Sequence, residues 1–80
     1  MHAMTYEIDL ELDLSGLTCP LPLLKAKQAL NRLEPGQIVM VTATDPGSER
    51  DFQVFAQQSS TDLLEFRKEA GRFHYWLRKG

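Results

Sequence analysis

Residues 6–24 read YEIDLELDLSGLTCPLPLL and contain two patterns that meet at a Ser-Gly pair. From Tyr6 to Leu14 the chain alternates between apolar and acidic residues, so that the leucines and the isoleucine share one face of a β-strand and the acids share the other. The segment predicts a strand with one buried and one solvent-facing side. If this strand is central, the sheet has one open face and its helices cover the other side only. We interpret the row of acids as a solvated face rather than a metal site.

The second pattern predicts a helix with a cysteine at its amino end. Thr18 or Cys19 fits the cap of this helix. The two prolines that follow fall in its first turn, where backbone N–H groups lack an intrahelical acceptor. The helix is predicted to extend to about Leu33, because Glu34-Pro35-Gly36 is a strong stop signal. Its apolar stripe comprises Leu23, Ala26, Leu30 and Leu33.

The rest of the chain completes the order βαβαββ. The next strand is rich in β-branched residues and does not alternate, which is typical of a strand buried on both faces. Ser48 and Asp51 resemble a capping box for the second helix, with the shorter acid in place of Glu. The predicted elements are a strand at 37–44, a turn at 45–47, a helix at about 49–59, and strands at 61–68 and 72–78 with a hairpin loop at 69–71. This order predicts an α/β (α+β) two-layer sandwich, with a four-stranded mixed sheet and two helices on one face.

Composition narrows the class of protein. A chain of 80 residues with 42% hydrophobic content predicts one domain over residues 1–80, of which residues 1–5 are expected to be disordered. A single cysteine cannot form an internal disulfide, which favours a reducing compartment and therefore the cytoplasm. The net charge of −2 lacks the basic footprint of a nucleic-acid-binding protein. The sequence contains no apolar run long enough to cross a membrane and no signal peptide.

The residues around Cys19 support two interpretations of this thiol. It is either a small buried hydrophobe, as free cysteines often are, or a reactive group at a helix start. A helix amino terminus favours the thiolate, which is the reactive form of cysteine. Gly16 lets the chain turn closely before the thiol, and Pro20 and Pro22 stiffen the turn after it. Physical reasoning from these residues leaves both interpretations open.

Other candidate residues point less strongly to a site. Asp45 fits either a turn residue or a brace for the loop beside the thiol. Arg50 and Asp51 fit either a surface ion pair, with Asp51 as a capping acid, or a supporting role near Cys19. We do not expect a Cys/His catalytic pair with His74, which is predicted on a strand face with Trp76 and Arg78. One cysteine and two histidines do not provide a zinc site, and no phosphate-binding glycine motif is present. Lys25, Lys27 and Arg32 form a solvated helix face or a docking patch for an acidic partner.

Four segments of the sequence resemble the TusA (SirA-like) family of small sulfur-carrier proteins. Residues 12–22 are similar to the family signature, whose mark is Cys-Pro-x-Pro at the start of the first helix. Residues 33–36 resemble its turn after that helix, and residues 44–52 resemble its loop into the second helix. The closing aromatic strand, which ends in Arg78-Lys79-Gly80, is also similar. The family has a βαβαββ two-layer fold, in agreement with the order predicted from patterning.

The resemblance implies a sulfur relay in which Cys19 accepts sulfane sulfur as a persulfide and passes it on. The donor would be a cysteine desulfurase or another persulfide sulfurtransferase, and the acceptor would be a downstream protein in tRNA thiolation, molybdenum-enzyme maturation or sulfur oxidation. The chain would act as a carrier, monomeric when free and without a bound cofactor or metal, rather than as an autonomous enzyme. Gly16, Pro20, Pro22, Asp45 and Arg50 would support the thiol.

Two further functions stay open at this point. One is a non-catalytic interaction or regulatory module with the same fold, and the other is a thiol-redox or selenium-handling protein. Some relatives carry a further cysteine in the second helix, whereas residues 52–60 here contain none. An internal disulfide or sulfur relay is therefore excluded, and a redox role would need a resolving cysteine from elsewhere.

Overall fold

The alternating segment at the start of the chain forms an edge strand in a computed structural model that describes residues 7–80. The elements, in chain order, are β1 (Leu10–Leu14), α1 (Leu21–Leu30), β2 (Ile38–Ala43), α2 (Ser48–Gln58), β3 (Asp62–Glu69) and β4 (Arg72–Arg78). This order confirms the predicted βαβαββ fold. The predicted strand from Tyr6 is too long, because β1 begins only at Leu10 and the side chain of Asp9 accepts a hydrogen bond from the amide of Ile38. Tyr6 itself and the predicted disorder of residues 1–5 lie outside the described residues. No helix in the described part of the chain is long and apolar enough to cross a membrane.

The four strands form one mixed sheet in the order β1-β2-β4-β3. Strand β1 pairs in parallel with β2, and Leu14 lies opposite Ala43 where both strands end. Strand β2 also pairs with β4, and β4 with β3, both in antiparallel fashion. Because β2 has a neighbour on each side, nearly all of its residues are buried, as its continuous apolar sequence predicted.

Strand β4 divides its side chains between the core and the open side of the sheet. Phe73, Tyr75 and Leu77 are buried, whereas the residues between them are half-buried. The ring of Tyr75 stacks on Phe52 of α2, with centroids 4.2 Å apart and planes 13° from parallel. Such an aromatic pair adds about 0.5–1.5 kcal/mol to the stability gained by burial of the two rings. The stack holds α2 on the same side of the sheet as Ala26 and Leu30 of α1, which belong to the same core.

Helix α2 begins without the predicted capping box. Its N-cap is Gly47, and no side chain hydrogen-bonds to the free amides of its first turn. Ser48 is almost fully buried, and its hydroxyl shares a hydrogen bond of 2.7 Å with that of Tyr75. Asp51 contacts a residue outside the helix. The predicted capping box is therefore wrong, because both side chains have tertiary partners in place of the helix amides.

Helix α1 is shorter than predicted at both ends. It begins at Leu21 with Pro20 as its N-cap, so only Pro22 lies inside the first turn. The peptide bond between Cys19 and Pro20 is cis. The amides of Arg32 and Leu33 donate to carbonyls three residues earlier, which tightens the chain into turns after Leu30. The predicted extension of the helix to Leu33 is wrong, although the Leu33 side chain still packs against the core.

Strands β3 and β4 form the predicted hairpin with a shorter loop. The loop consists of Ala70 and Gly71, whose φ angles are 53° and 77°. Two consecutive residues with positive φ are typical of a type I′ turn, which matches the twist of paired strands. Strand β3 therefore extends to Glu69, one residue beyond its predicted end, and the loop has two residues in place of the predicted three.

Candidate functional site

The only cysteine of the chain lies on a loop where two parallel strands end. Cys19 follows β1, and residues 44–47 follow β2, so both loops leave the same edge of the sheet. The amide of Gly16 donates a hydrogen bond of 2.8 Å to Oγ1 of Thr44, which ties the two loops together. Gly16 has a φ of +85°, a conformation that residues with a Cβ adopt at a cost. This turn brings Cys19 against the second loop, and the cysteine is exposed to solvent.

Asp51 is the side chain that contacts the thiol directly. Its Oδ2 lies 2.9 Å from Sγ of Cys19, and the S–H donates this hydrogen bond. Asp51 is the fourth residue of α2, in the turn that follows the second loop. From the sequence, Asp51 was predicted to be either a capping acid paired with Arg50 or, together with Arg50, a supporting residue near Cys19. One signal could have revealed the contact. Cys19 follows β1 and Asp51 lies in the first turn of the helix that follows β2, and the two parallel strands end side by side.

The electrostatic environment keeps the thiol protonated. The hydrogen bond to Asp51 raises the pKa of Cys19 above its ordinary value, and partial desolvation and the negative charges of Asp51 and Asp45 raise it further. This direction of the pKa shift is opposite to the thiolate expected at a helix amino end. The helix start offers few donors to oppose it, because Pro20 and Pro22 have no N–H and the amide of Leu21 donates to the carbonyl of Thr18.

Asp45 and Gly47 complete the floor of the site. The carbonyl of Asp45 accepts a hydrogen bond from the amide of Ser48, which is the predicted turn. Its Oδ2 is buried and has no hydrogen-bond partner among residues 7–80. A Cβ on Gly47 would lie 2.9 Å from this oxygen and 3.9 Å from Sγ of Cys19. Asp45 and Cys19 therefore both lie close to Gly47, where a side chain would have little room.

Arg50 lies next to the site without touching the thiol. It is exposed, and no ion pair joins it to Asp51 in the described part of the chain. Arg50 and Asp51 line one end of a groove of about 440 Å³ between the two helices. The ammonium of Lys27 also lines this groove and lies 5.3 Å above the centre of the Phe55 ring. The apolar residues that line this groove are Leu23, Val54 and Phe55.

The structure places His74 away from the thiol, on the side of the sheet opposite the helices. Its Nδ1 lies 3.0 Å from Oγ1 of Thr42, and its ring is tilted against Trp76. Among residues 7–80, no three His, Cys, Asp or Glu side chains are grouped closely enough to hold a metal ion. On the helix side, the site and its groove therefore contain one thiol, the carboxylates of Asp45 and Asp51, and the cations of Arg50 and Lys27.

The molecule is thus a small α+β sandwich with one exposed thiol where the two loops meet. Comparison with known proteins identifies the family. The family described as Sulfurtransferase TusA matches residues 10–79, and the chain belongs to it.

The chain is similar to the sulfur carrier protein TusA of Allochromatium vinosum, with 51% identity over 91% of this chain and 96% of that protein. It is also similar to the protein of the same name in Pseudomonas aeruginosa, with 40% identity over 95% of this chain and 96% of that one. Among solved structures, a SirA-like protein from Desulfitobacterium hafniense matches with a TM-score of 0.77 and 29% identity, over 89% of this chain and 97% of that chain. These relatives support a sulfur-carrier role and confirm the predicted fold.

Proposed function

We propose that this protein carries sulfane sulfur as a persulfide on Cys19 and passes it from a donor to an acceptor protein. The observation that carries the proposal is the exposed thiol of Cys19, the only cysteine of the chain, at the junction of the two loops. Family membership supports the same chemistry. A carrier needs one accessible sulfur that partners can reach, and it needs no second cysteine because the next acceptor lies on a partner.

Transfer to such a thiol is an exchange at sulfur. The sulfur of Cys19 attacks the terminal sulfur of the donor persulfide, and the donor thiolate leaves. One sulfane sulfur changes carrier, with no net oxidation or reduction. The reverse attack by an acceptor thiolate unloads Cys19. The partners provide the second reacting sulfur in each case, so this protein acts more as a substrate of both than as an autonomous enzyme.

The proposed donor is a cysteine desulfurase or another persulfide sulfurtransferase in the cytoplasm. The acceptors belong to tRNA thiolation, molybdenum-enzyme maturation or sulfur oxidation. Both partners must reach the same sulfur, so both must approach the surface that surrounds Cys19. The groove beside the site presents Lys27 and Arg50 around apolar side chains, which suits a partner surface with acidic and apolar residues.

Intact-mass measurement tests this function. The chain is incubated with a cysteine desulfurase, pyridoxal phosphate and cysteine, and we expect a gain equal to one sulfur atom that reduction removes. Cys19→Ser is the matched control and should gain nothing. If neither the desulfurase nor a small-molecule persulfide labels Cys19, the proposal fails.

The open side of the sheet supports one alternative function, a binding or regulatory module. Trp76 is only half-buried there, and the guanidinium of Arg67 lies 5.8 Å from the centre of its ring. A chromosomal Cys19→Ala replacement separates the two functions. Full activity of the Cys19→Ala strain would favour binding over sulfur transfer, whereas loss of thiolation or of sulfur-dependent growth supports the carrier.

A further inference from the structure

We propose that Asp51 is a further catalytic residue, which holds the thiol of Cys19 in the free protein and accepts its proton when sulfur is transferred. The inference rests on the proposed function of Cys19 as the acceptor of sulfane sulfur. It goes further by naming the group that controls the protonation of that sulfur. The starting observation is the 2.9 Å hydrogen bond between Sγ of Cys19 and Oδ2 of Asp51.

The position of Asp51 is fixed by the core beneath it. The next residue, Phe52, is fully buried and stacks on Tyr75, while the amide of Asp51 donates to the carbonyl of Gly47. The hydroxyl of Ser48 is held by Tyr75 at the start of the same turn. A carboxylate on this turn is therefore presented to the thiol by rigid structure. Preorganisation of this kind is what proton transfer requires.

Among residues 7–80, the thiol of Cys19 is the group that donates a hydrogen bond to the Asp51 carboxylate. Arg50 is adjacent to Asp51 in sequence but does not pair with it. The negative charge of Asp51 is therefore not neutralised by an ion pair in the described part of the chain. Asp45 also acts on Cys19, but by charge alone and without a hydrogen bond to Sγ. Of the two acids whose charges act on the thiol, Asp51 is thus the one in position to receive its proton.

The loading step balances with Asp51 as a temporary proton carrier. The S–H proton of Cys19 moves to Oδ2 of Asp51 as the sulfur attacks the terminal sulfur of the donor persulfide. The S–S bond of the donor breaks while the new S–S bond to Cys19 forms, and the donor sulfur leaves with the electron pair. That thiolate then takes the proton from Asp51, which returns to its carboxylate form. The products are a donor thiol and a persulfide on Cys19.

The contact between Asp51 and Cys19 gives the sulfur a different reactivity in the free and the loaded protein. In the free protein the hydrogen bond and the negative charge keep the sulfur as a thiol, which reacts slowly with alkylating and oxidising agents. Once Sγ is bonded to a second sulfur, it has no proton to donate and loses the hydrogen bond. A persulfide anion is then repelled by the carboxylate, which favours its transfer to an acceptor.

The experiment compares the full chain with Asp51→Asn, Asp51→Glu and Glu49→Gln. Glu49 lies in the first turn of the same helix, so its replacement removes the same charge two residues away. Two rates are measured by intact mass: alkylation by iodoacetamide across a pH series, and persulfide loading by a cysteine desulfurase with pyridoxal phosphate and cysteine. Circular dichroism and thermal unfolding check that each variant is folded.

We expect the two rates to move in opposite directions in Asp51→Asn. Alkylation at neutral pH should become about three- to tenfold faster, with the midpoint of its pH profile lowered, because the thiol loses the group that raises its pKa. Loading should become about tenfold slower or more, because no group takes the proton. Asp51→Glu should return both rates toward those of the unmodified chain, and Glu49→Gln should match it.

The outcomes separate this proposal from the proposed function. An unmodified chain that takes no sulfur overturns the carrier function itself. If that chain loads but Asp51→Asn loads as fast or faster, or is alkylated no faster, only the role of Asp51 is overturned. If Asp51→Asn does not fold, the pH profile of the unmodified chain decides, and a midpoint at or below the ordinary pKa of cysteine contradicts the proposal.

Discussion

At the scale of single residues, two hydrogen bonds at the start of α2 organise the site from opposite sides. Outside the core, Asp51 accepts from the Cys19 thiol at 2.9 Å. Inside it, the hydroxyls of Ser48 and Tyr75 meet at 2.7 Å, with both residues almost fully buried. The buried bond fixes the first turn of the helix on the sheet. Because Asp51 lies on that turn, the buried bond also fixes the carboxylate relative to the thiol.

The buried hydrogen bond predicts a specific pattern of stability. Tyr75→Phe leaves the Ser48 hydroxyl buried without its partner, which should lower the free energy of unfolding by about 1–3 kcal/mol. The double variant Ser48→Ala/Tyr75→Phe removes both partners, so we expect it to lose less than the sum of the single changes. Urea unfolding of the four chains gives the coupling energy. Simple additivity of the two losses would show that this bond does not stabilise the helix start.

At the scale of elements, the site exists because β1 and β2 are parallel neighbours. Their carboxyl ends lie side by side, with Leu14 opposite Ala43, so the loops that follow them meet. The Gly16 amide and the Thr44 hydroxyl join these loops before either helix begins. The two helices then leave the same edge and enclose the groove beside the thiol. Catalytic groups of α/β proteins are commonly placed at such strand ends.

The sequence patterns predicted the elements better than the contacts between them. Alternation in β1 and β4 has a period of two that does not depend on tertiary partners. It predicted β4 with its correct bounds and predicted β1 correctly as a strand, although β1 begins only at Leu10. The end of α1 was predicted wrongly, because Leu33 continues the helical spacing of apolar residues although the chain leaves the helix after Leu30. For Asp51 the sequence left a helix cap and a supporting role near Cys19 both open, because a first-turn acid satisfies a local capping rule. Its real partner, Cys19, is distant in sequence and becomes visible only when the two loops are brought together.

The β3–β4 hairpin gives a prediction at the level of an element. Ala70 has a φ of 53°, a left-handed conformation that glycine adopts without steric cost, so Ala70→Gly should raise the free energy of unfolding by about 0.5–1 kcal/mol. Gly71→Ala should lower the free energy of unfolding by about 1 kcal/mol. Because a Cβ at Gly71 would meet no atom within 4 Å, this loss reports the backbone conformation alone. Thermal and urea unfolding measure both changes. Equal effects of the two substitutions would contradict a type I′ turn.

At the scale of the whole molecule, charges are distributed unevenly although the net charge is only −2. The acids of β1 face away from the helices, and Arg72 lies near Asp13 on that side. The groove between the helices instead carries Lys27 and Arg50, with Asp51 engaged by the thiol. Apolar side chains line this groove as well, among them Leu23 and Val54, which is 39% exposed. A partner that reaches Cys19 over the helix layer therefore meets a surface that is both basic and apolar.

This distribution predicts how partner recognition depends on charge. Reversal of the groove charges in Lys27→Glu/Arg50→Glu should slow loading by a cysteine desulfurase by about tenfold at low ionic strength, because charges at the rim of an interface mainly set the rate of association. The defect should shrink as salt is added, since exposed charges are screened. Lys68→Glu is the control, because Lys68 lies on β3, outside the groove, and it should load like the unmodified chain. Loading by a small-molecule persulfide has no docking step and should be unchanged in all three proteins. If the double reversal slowed that reaction equally, it would have disturbed the thiol itself, and the groove would not be the surface that the donor recognises.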